Sequence, residues 1–556
     1  MITLASYQKK TKYQIKRFGR FIKIFLKNLR GTIGLIIIII FVLFAIAPSL
    51  FTPYDPITSR RLAGSFAAPS WLKYLPPMLG GRPELSENMW VINDPSFMTL
   101  DSFNKENWTI VENQGVSIQW DAGPERVNPY GNPGCILVRF KREEVGDTYG
   151  NTTVQIFKEF TFPYTGPPDR FIGAVSLFVN GTYTEKTWRV PDTSNTTAWP
   201  IPMKNITVPV SDTPVNIHVF MERGDEARWK IWPVPKYQLE GANPDGTFVN
   251  FTNMWVTSKT SFTIGSETSE IGRWFRNQTG KDPRYIIFPP EKLPNKFKWG
   301  IELTFIDTDS SKPVETVVYI DDFEFNLYGT CWGIFGTDQE GRDLFAQLIY
   351  GARISLYVGL LASIVSVVLG LVIGLVAGYS GRIADEIIMR FTDMLLVLPM
   401  LPLLIILMAV LGSNIENLII LLGVLGWMGF ARLVRSQVLT IKERPFVEAA
   451  KAIGAGKVHI LSKHILPNVM SLVYVSLATS VPGAIVAEAA LSWLGFSDPM
   501  RMSWGKMLQE IGANSAYQCW WWVVPPGLCI ALIAMAFILL GYALDEVLNP
   551  KLRMRR

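Results

Sequence analysis

Six stretches of the chain are almost free of charge over about 20 residues, the length a helix needs to cross the hydrocarbon core of a bilayer. They cover residues 31–50 (with five consecutive isoleucines), 354–381, 394–415, the shorter 417–431, 465–487 and 520–544. Lipid offers the backbone no hydrogen-bond partner, so each stretch is expected to satisfy its own polar groups as a helix. Between the first two, the pattern changes to period-two alternation punctuated by Gly, Pro, Asn and Asp, as in residues 135–142, 152–162, 171–183, 215–222, 248–257 and 299–306. Short alternating runs bounded by turn residues predict an antiparallel sandwich. The expected fold is therefore a polytopic α-helical membrane protein of six transmembrane helices with an inserted all-β domain.

Composition sharpens the division. The 556 residues are 49% hydrophobic and 18% charged, against roughly a quarter charged in an average soluble domain. Residues 31–336 hold 27 Lys+Arg and 33 Asp+Glu, net −6, and the remainder, from totals of 53 and 47, holds 26 and 14, net +12. A single soluble core, a disordered chain and a coiled coil are excluded by that split. Basic residues flank apolar runs and form no aromatic-interleaved stripe, so no nucleic-acid partner is expected.

Lys and Arg are retained on the cytoplasmic side during insertion. Residues 1–30 carry nine Lys+Arg and no acid, which places the N terminus inside. Six crossings bring the basic tail 551–556 inside too, together with the loop 432–464, which has seven basic residues against Glu443 and Glu448. The expected location is a multi-pass protein of the cell membrane with both termini cytoplasmic and residues 52–353 outside. The expected segments are a basic tail at 1–30, a first span at 31–51, the outer β insertion at 52–336, a lead-in at 337–353 and a membrane body at 354–556. Gly370, Gly374 and Gly378 form a small-residue ridge suited to close helix packing in lipid. Glu488, near the end of the fifth span, is read as structural, its terminal position allowing solvation.

Asn-x-Thr sequons occur at Asn107, Asn151, Asn180, Asn195, Asn205, Asn250 and Asn277, all inside the segment expected outside, which fits N-glycosylation. Cys135 and Cys331 share that compartment and are a candidate disulfide, with Cys519 as a competitor. Four cysteines and three histidines without ligand spacing predict no metal site. No nucleophile elbow, paired-His helix or triad is present, so no catalytic residue is expected and a membrane hydrolase is disfavoured. Residues 317–325, with 107–111, resemble the terminal strands of galactose-binding-like jelly rolls, which implies a jelly-roll-like sandwich.

The inner loop carries the most specific pattern. Glu448, Ala449 and Ala450 are followed after three residues by Gly454, and eleven residues later by Leu466 and Pro467. Helix formers up to Ile453, a turn at Gly454 and Gly456, and a second amphipathic segment predict a compact helix-turn-helix projection within 432–468. That spacing resembles the signature loop of ATP-binding-cassette importer permeases. Residues 336–356, with Gly336-Thr337-Asp338, Gly341-Arg342-Asp343 and Gly351-Ala352-Arg353-Ile354-Ser355-Leu356, resemble the dipeptide and oligopeptide branch, as do residues 20–56. The resemblance implies the ABC importer permease fold, with Glu448, Ala449, Ala450, Gly454, Leu466 and Pro467 as the ATPase-coupling element. It also implies a second homologous permease, two ABC ATPase subunits and an extracytoplasmic substrate-binding protein as partners, beside membrane lipid.

The same resemblance puts ATP and Mg on the ATPases and no cofactor on this chain. Gly454-Ala455-Gly456-Lys457 is not a phosphate loop, because Val458 stands where Ser or Thr would hold magnesium and no strand precedes it. Peptides are the expected cargo. The alternatives are oligosaccharides, with the outer domain binding glycans through its tryptophans (Trp188, Trp229, Trp232, Trp255, Trp274) or docking the binding protein, and an adhesive or sensory surface protein.

Overall fold

Alternation along the insertion resolves into strands in the computed structural model, which describes residues 28–122, 134–191 save 147 and 182, 203–232 save 212, 214, 225 and 226, 254–263, and 276–548 save 278, 308 and 309. The chain forms two compact units, Leu62–Trp332 and, from both flanks, Met1–Arg61 with Gly333–Arg556.

In the first, short strands β1 (Met89–Trp90), β2 (Thr109–Val111) and β3 (Val116–Asp121) precede the long β4 (Cys135–Arg142), β5 (Gly150–Phe162) and β6 (Arg170–Gly181). There follow β7 (Tyr183–Pro191), β8 (Met203–Ser211), β9 (Val215–Arg223), β10 (Ala227–Trp232), β11 (Met254–Thr263), β12 (Asn295–Asp307) and β13 (Val314–Tyr328). One sheet runs β11-β6-β13-β4-β3 with β1 beside β13, the other β10-β9-β12-β5-β2, and β7 pairs with β8. Every named pairing is antiparallel.

Both long sheets turn one face to a shared core. On β12, Phe297, Trp299, Ile301, Leu303 and Phe305 point inward at every second position, as a pleated strand requires. On β13 the inward set is Val318 and Ile320, then Phe323, Phe325 and Leu327. A bulge between Asp321 and Glu324 resets that phase, with Asp322 at φ 48° and its carboxylate accepting from the hydroxyls of Ser96 and Ser176. Trp299 stacks on Phe325 at 4.1 Å and presses on β6, where a Cβ on Gly173 would lie 2.5 Å from the indole. Only a glycine allows that approach. At the core's edge Arg142 (β4) and Asp307 (β12) form a fully buried pair, Nε to Oδ2 2.8 Å.

The helical unit opens with α1 (Leu29–Ile46), capped by the Asn28 side chain, which accepts from the Arg30 and Gly31 amides. The insertion adds the one-turn pieces α2 (Leu100–Lys105) and α3 (Pro283–Ile287). After it come α4 (Leu344–Ser380), α5 (Arg382–Val397), α6 (Met400–Leu411), α7 (Ile415–Gly426), α8 (Met428–Lys442), α9 (Pro445–Ala452), α10 (Lys457–Ile460), α11 (Leu466–Leu491), α12 (Trp504–Ala513) and α13 (Trp520–Leu548). Among the described residues five helices are long and apolar enough to cross a membrane, or six if the bent pair α5 and α6 counts as one span.

That pair corrects the expected third span. Residues 394–415 do not form one straight helix: the chain breaks at Leu398 and Pro399 and turns by 85°. Proline excludes the helical region for the residue before it, and Leu398 sits at ψ 132°. The expected fourth span also ends later. Residues 432–442, expected in the inner loop, continue the helix as α8, and the inner turn narrows to the segments around α9 and α10.

Glycines decide how closely these helices pack. A Cβ on Gly370, Gly374 or Gly378 would lie 2.8 Å from Trp427 O, 2.5 Å from Ala431 O or 2.7 Å from Val438 Cβ, so the ridge of α4 receives the α8 segment at backbone distance. Gly34 of α1 meets Ala536 O of α13 in the same way.

Candidate functional site

Helix α9 starts with Pro445 at its first position and ends in a left-handed residue, Gly454, at φ 86°. The Gly454 amide donates to Lys451 O and the Ala455 amide to Ala450 O, the paired bonds of a Schellman cap. No atom lies within 4 Å of a Cβ placed on Gly454, so its requirement is conformational, not steric. The chain then re-enters through α10 and a π-turn, Leu461–Ile465, directly into α11.

The inner face of this projection is held firmly. Val447 and Ala450 of α9, Ile460 of α10, and Ile465 and Val469 pack with Val434 and Val438 of α8, with Leu371, Leu375 and Tyr379 of α4 against them. Burial of side chains such as Val447, Ile460 and Ile465 contributes about 1.5–3 kcal/mol each. The outer face is open: Glu448, Ala449, Gly454 and Pro467 are exposed, Leu466 is half-buried and Ala450 is buried. The six signature residues thus divide, most presenting outward while Ala450 anchors. Sequence reasoning missed the apolar residues around them, Ile453 at 85% exposure, Val458 at 79% and Phe446 at 45%. Their signal was available as apolar residues on the polar side of short amphipathic helices.

The lead-in motif builds a buried ion cluster. Asp338 is fully buried; its Oδ2 accepts from Arg342 Nε at 2.6 Å and Gln347 Nε2 at 2.5 Å, and its Oδ1 from the Glu340 and Arg342 amides. Arg342 Nη2 reaches Glu510 of α12 at 2.9 Å. Burial would lower the guanidinium's pKa, but Asp338 and Glu510 outweigh it and hold it above its usual value. Burial raises Glu510 and lowers Lys506. Asp343 caps α4 through the Phe345 amide, and burial pushes its carboxyl up to about 6. Sequence reasoning recognised this stretch by resemblance alone; its partner Glu510 lies far along the chain and carried no local sign.

Glu488 departs from expectation. It is 3% exposed, not solvated at a helix end, and its Oε1 accepts from Ser492 at 2.9 Å and Ser503 at 2.7 Å.

Cys135 and Cys331 are not joined by a disulfide, which corrects the expected bridge. Cys135 opens β4 on the outer side of its sheet, packed with Leu137, Val317 and Tyr319, and its Sγ faces Asp121 O. Cys331 lies beyond β13, its Sγ facing Ser86 O at 3.2 Å, so each thiol is occupied in a separate pocket of packing. Asn107, Asn151, Asn180 and Asn277 are exposed. Asn205 lies on β8 with its side chain outside the described residues, as are Asn195 and Asn250 altogether. Of the five tryptophans singled out, Trp229 is half-buried beneath Arg223, and the side chains of Trp188, Trp232, Trp255 and Trp274 lie outside the described residues.

Comparison with known proteins agrees with the loop and with the N-terminal stretch. The family described as binding-protein-dependent transport system inner membrane component matches residues 370–554, and the N-terminal TM domain of oligopeptide transport permease C matches residues 16–77. The dipeptide transport system permease protein DppC of Bacillus subtilis is 42% identical over 220 residues, 39% of this chain and 69% of that protein. This chain belongs to the peptide ABC importer permease family. The oligopeptide transport system permease protein OppC of Haemophilus influenzae is 36% identical over 282 residues, 50% of this chain and 86% of that protein.

Among solved structures, an inward-facing MetNI methionine ABC transporter covers 36% of this chain and 95% of its own at 18% identity and TM-score 0.30. TmCBM61 in complex with β-1,4-galactotriose covers 43% and 97% at 10% identity and TM-score 0.20. At those scores neither likeness bears on function. The two family matches leave residues 78–369 between them, a stretch that includes most of the β unit.

Proposed function

We propose that this permease translocates peptides across the cell membrane as one of two homologous permease subunits, driven by two cytoplasmic ABC ATPases and supplied by an extracytoplasmic binding protein. ATP and Mg reside on the ATPases. Both termini and the projection around α9 face the cytoplasm, and residues 52–353 face outward. The sandwich is jelly-roll-like, and its exposed sequon asparagines are sites for glycans. It serves as an outer platform beside the binding protein.

The observation that carries this reading is the projection's two-sidedness. Its inner face is packed into α4, α8 and α11, so it cannot shift alone, while Glu448, Ala449, Gly454, Ile453 and Val458 face outward, ready for an ATPase groove. Leu466 and Pro467 carry a push on this element into the first turn of α11. Moving an outward-open to inward-open equilibrium from 1:99 to 99:1 takes about 5.5 kcal/mol, which demands a stiff lever.

The test is ATP-driven peptide uptake into vesicles holding the full complex. Gly454→Val forces a β-branched residue into a left-handed conformation costing about 1–2 kcal/mol or more. Uptake is expected to fall at least about tenfold, the effect of some 1.4 kcal/mol, with peptide capture by the binding protein unchanged. Normal uptake at normal complex yield would refute the coupling role.

A further inference from the structure

At the far end of α11 from the coupling element, some 22 residues or roughly 33 Å along the helix, Glu488 lines a narrow cleft whose enclosed part has room for about one water-sized group. Asn414 before α7, Ser497, Asp498, Arg501 and Ser503 supply its polar lining, and Ile415, Leu418 and Phe496 an apolar one. Only one oxygen of Glu488 is satisfied. Oε1 takes both serine hydroxyls, whereas the buried Oε2 has no hydrogen-bond partner among the described residues. A buried acceptor left unpaired costs about 1–3 kcal/mol, more if charged, so a donor belongs there.

The protein's own cations are committed elsewhere. Arg501 Nη1 holds Glu416 at 2.6 Å at the exposed mouth. Lys506 Nζ donates to the carbonyls of Asp498 and Pro499. Neither cation reaches Glu488 Oε2, so that oxygen is open to a donor entering from the cleft. A divalent metal fits poorly, because it takes six or more oxygen ligands and the described residues contain no group of three His, Cys, Asp or Glu arranged to hold one. A primary ammonium carries one charge and three donors on a small head.

We propose that this cleft is a binding site for a primary ammonium group, with Glu488 Oε2 as its buried acceptor and Asp498 and Ser497 at its rim. The amino terminus of a peptide and a small free amine are the two sources of that chemistry. Assignment to the peptide rests on the transport reading above, whereas amine binding does not.

Thermal unfolding of the assembled permease–ATPase complex, without ATP or binding protein, separates these sources. The probes are dialanine, N-acetyl-dialanine, methylammonium and choline at equal ionic strength. A saturable rise of about 3 °C in Tm is expected with dialanine and methylammonium, none with N-acetyl-dialanine or choline, and none with any probe in Glu488→Gln. A rise with methylammonium but not dialanine supports the site and assigns it to free amines. Equal responses to methylammonium and choline, or an undiminished rise in Glu488→Gln, overturn the proposal. If that variant does not assemble, the wild-type contrast between methylammonium and choline decides alone. Because no ATP is present, loss of coupling at Gly454 leaves this result untouched.

Discussion

The two units bury their apolar residues by opposite rules. In the sandwich, inward positions on β12 and β13 are shut away in an aromatic core, Trp299 on Phe325 and Phe140 on Phe305, while alternate positions such as Lys298, Glu302 and Thr304 of β12 stay partly exposed. In the helical unit, large apolar side chains point outward: Ile36, Ile39 and Leu43 of α1, Val368 and Val372 of α4, and Val410 of α6 are all exposed. Its interior is instead made where backbones touch, at Gly34, Gly370 and Gly374. The first unit is driven together by water; the second is surrounded by a solvent as apolar as its own side chains and must rely on close packing.

Buried charge follows the same contrast. Arg142 and Asp307 sit in a dry core with neither partner exposed, and Arg142→Met leaves Asp307 there without a counter-charge, with only the Tyr149 amide among the described residues still donating to it. Breaking a buried pair typically costs 3–5 kcal/mol, and denaturant unfolding followed by the Trp299 environment is expected to show about that loss. A cost below about 1 kcal/mol would mean that water reaches Asp307 and the core is not dry. In the helical unit, Gly374→Ile drives a side chain into Ala431 O and Val434. Overpacking of this kind costs about 1–3 kcal/mol, read as a lower Tm of the detergent-solubilised chain; unchanged stability would break the claim that α4 and α8 depend on backbone contact.

The smallest effect is a slope. Asp343 has its folded-state carboxyl pushed up to about 6 by burial, against an ordinary 3.8. Between those values the folded chain holds more protons than the unfolded one, so this residue's contribution to stability falls as pH rises from about 4 through 6, by at most about 1.4 kcal/mol per pH unit. Asp343→Asn keeps a cap for α4 and is expected to flatten that part of the Tm profile. A profile identical to the wild type would show that the carboxyl is open to water.

Much of this was legible along the chain because lipid and water impose different periods. Uncharged runs of about 20 residues located most of the long apolar helices, and alternation located several of the longer strands, down to both ends of β4. Failures arose where a partner lies far away in sequence. The phase reset on β13 depends on Ser96 and Ser176 receiving Asp322, the Asp338–Arg342 cluster depends on Glu510, and Glu488 is buried because Ser503 and the start of α12 close over it.

Sequence alone determined the membrane class, the β insertion and the spacing of the signature loop, since each is a local pattern whose physical cause lies within a few residues. The tertiary structure decided which face of that loop is free, that Cys135 and Cys331 are not bridged, that the third span bends and that one carboxylate oxygen is left without a donor. Those outcomes depend on how segments meet in space, from a turn or two away for Glu488 to distant elements for the two cysteines, and no periodicity along the chain encodes them.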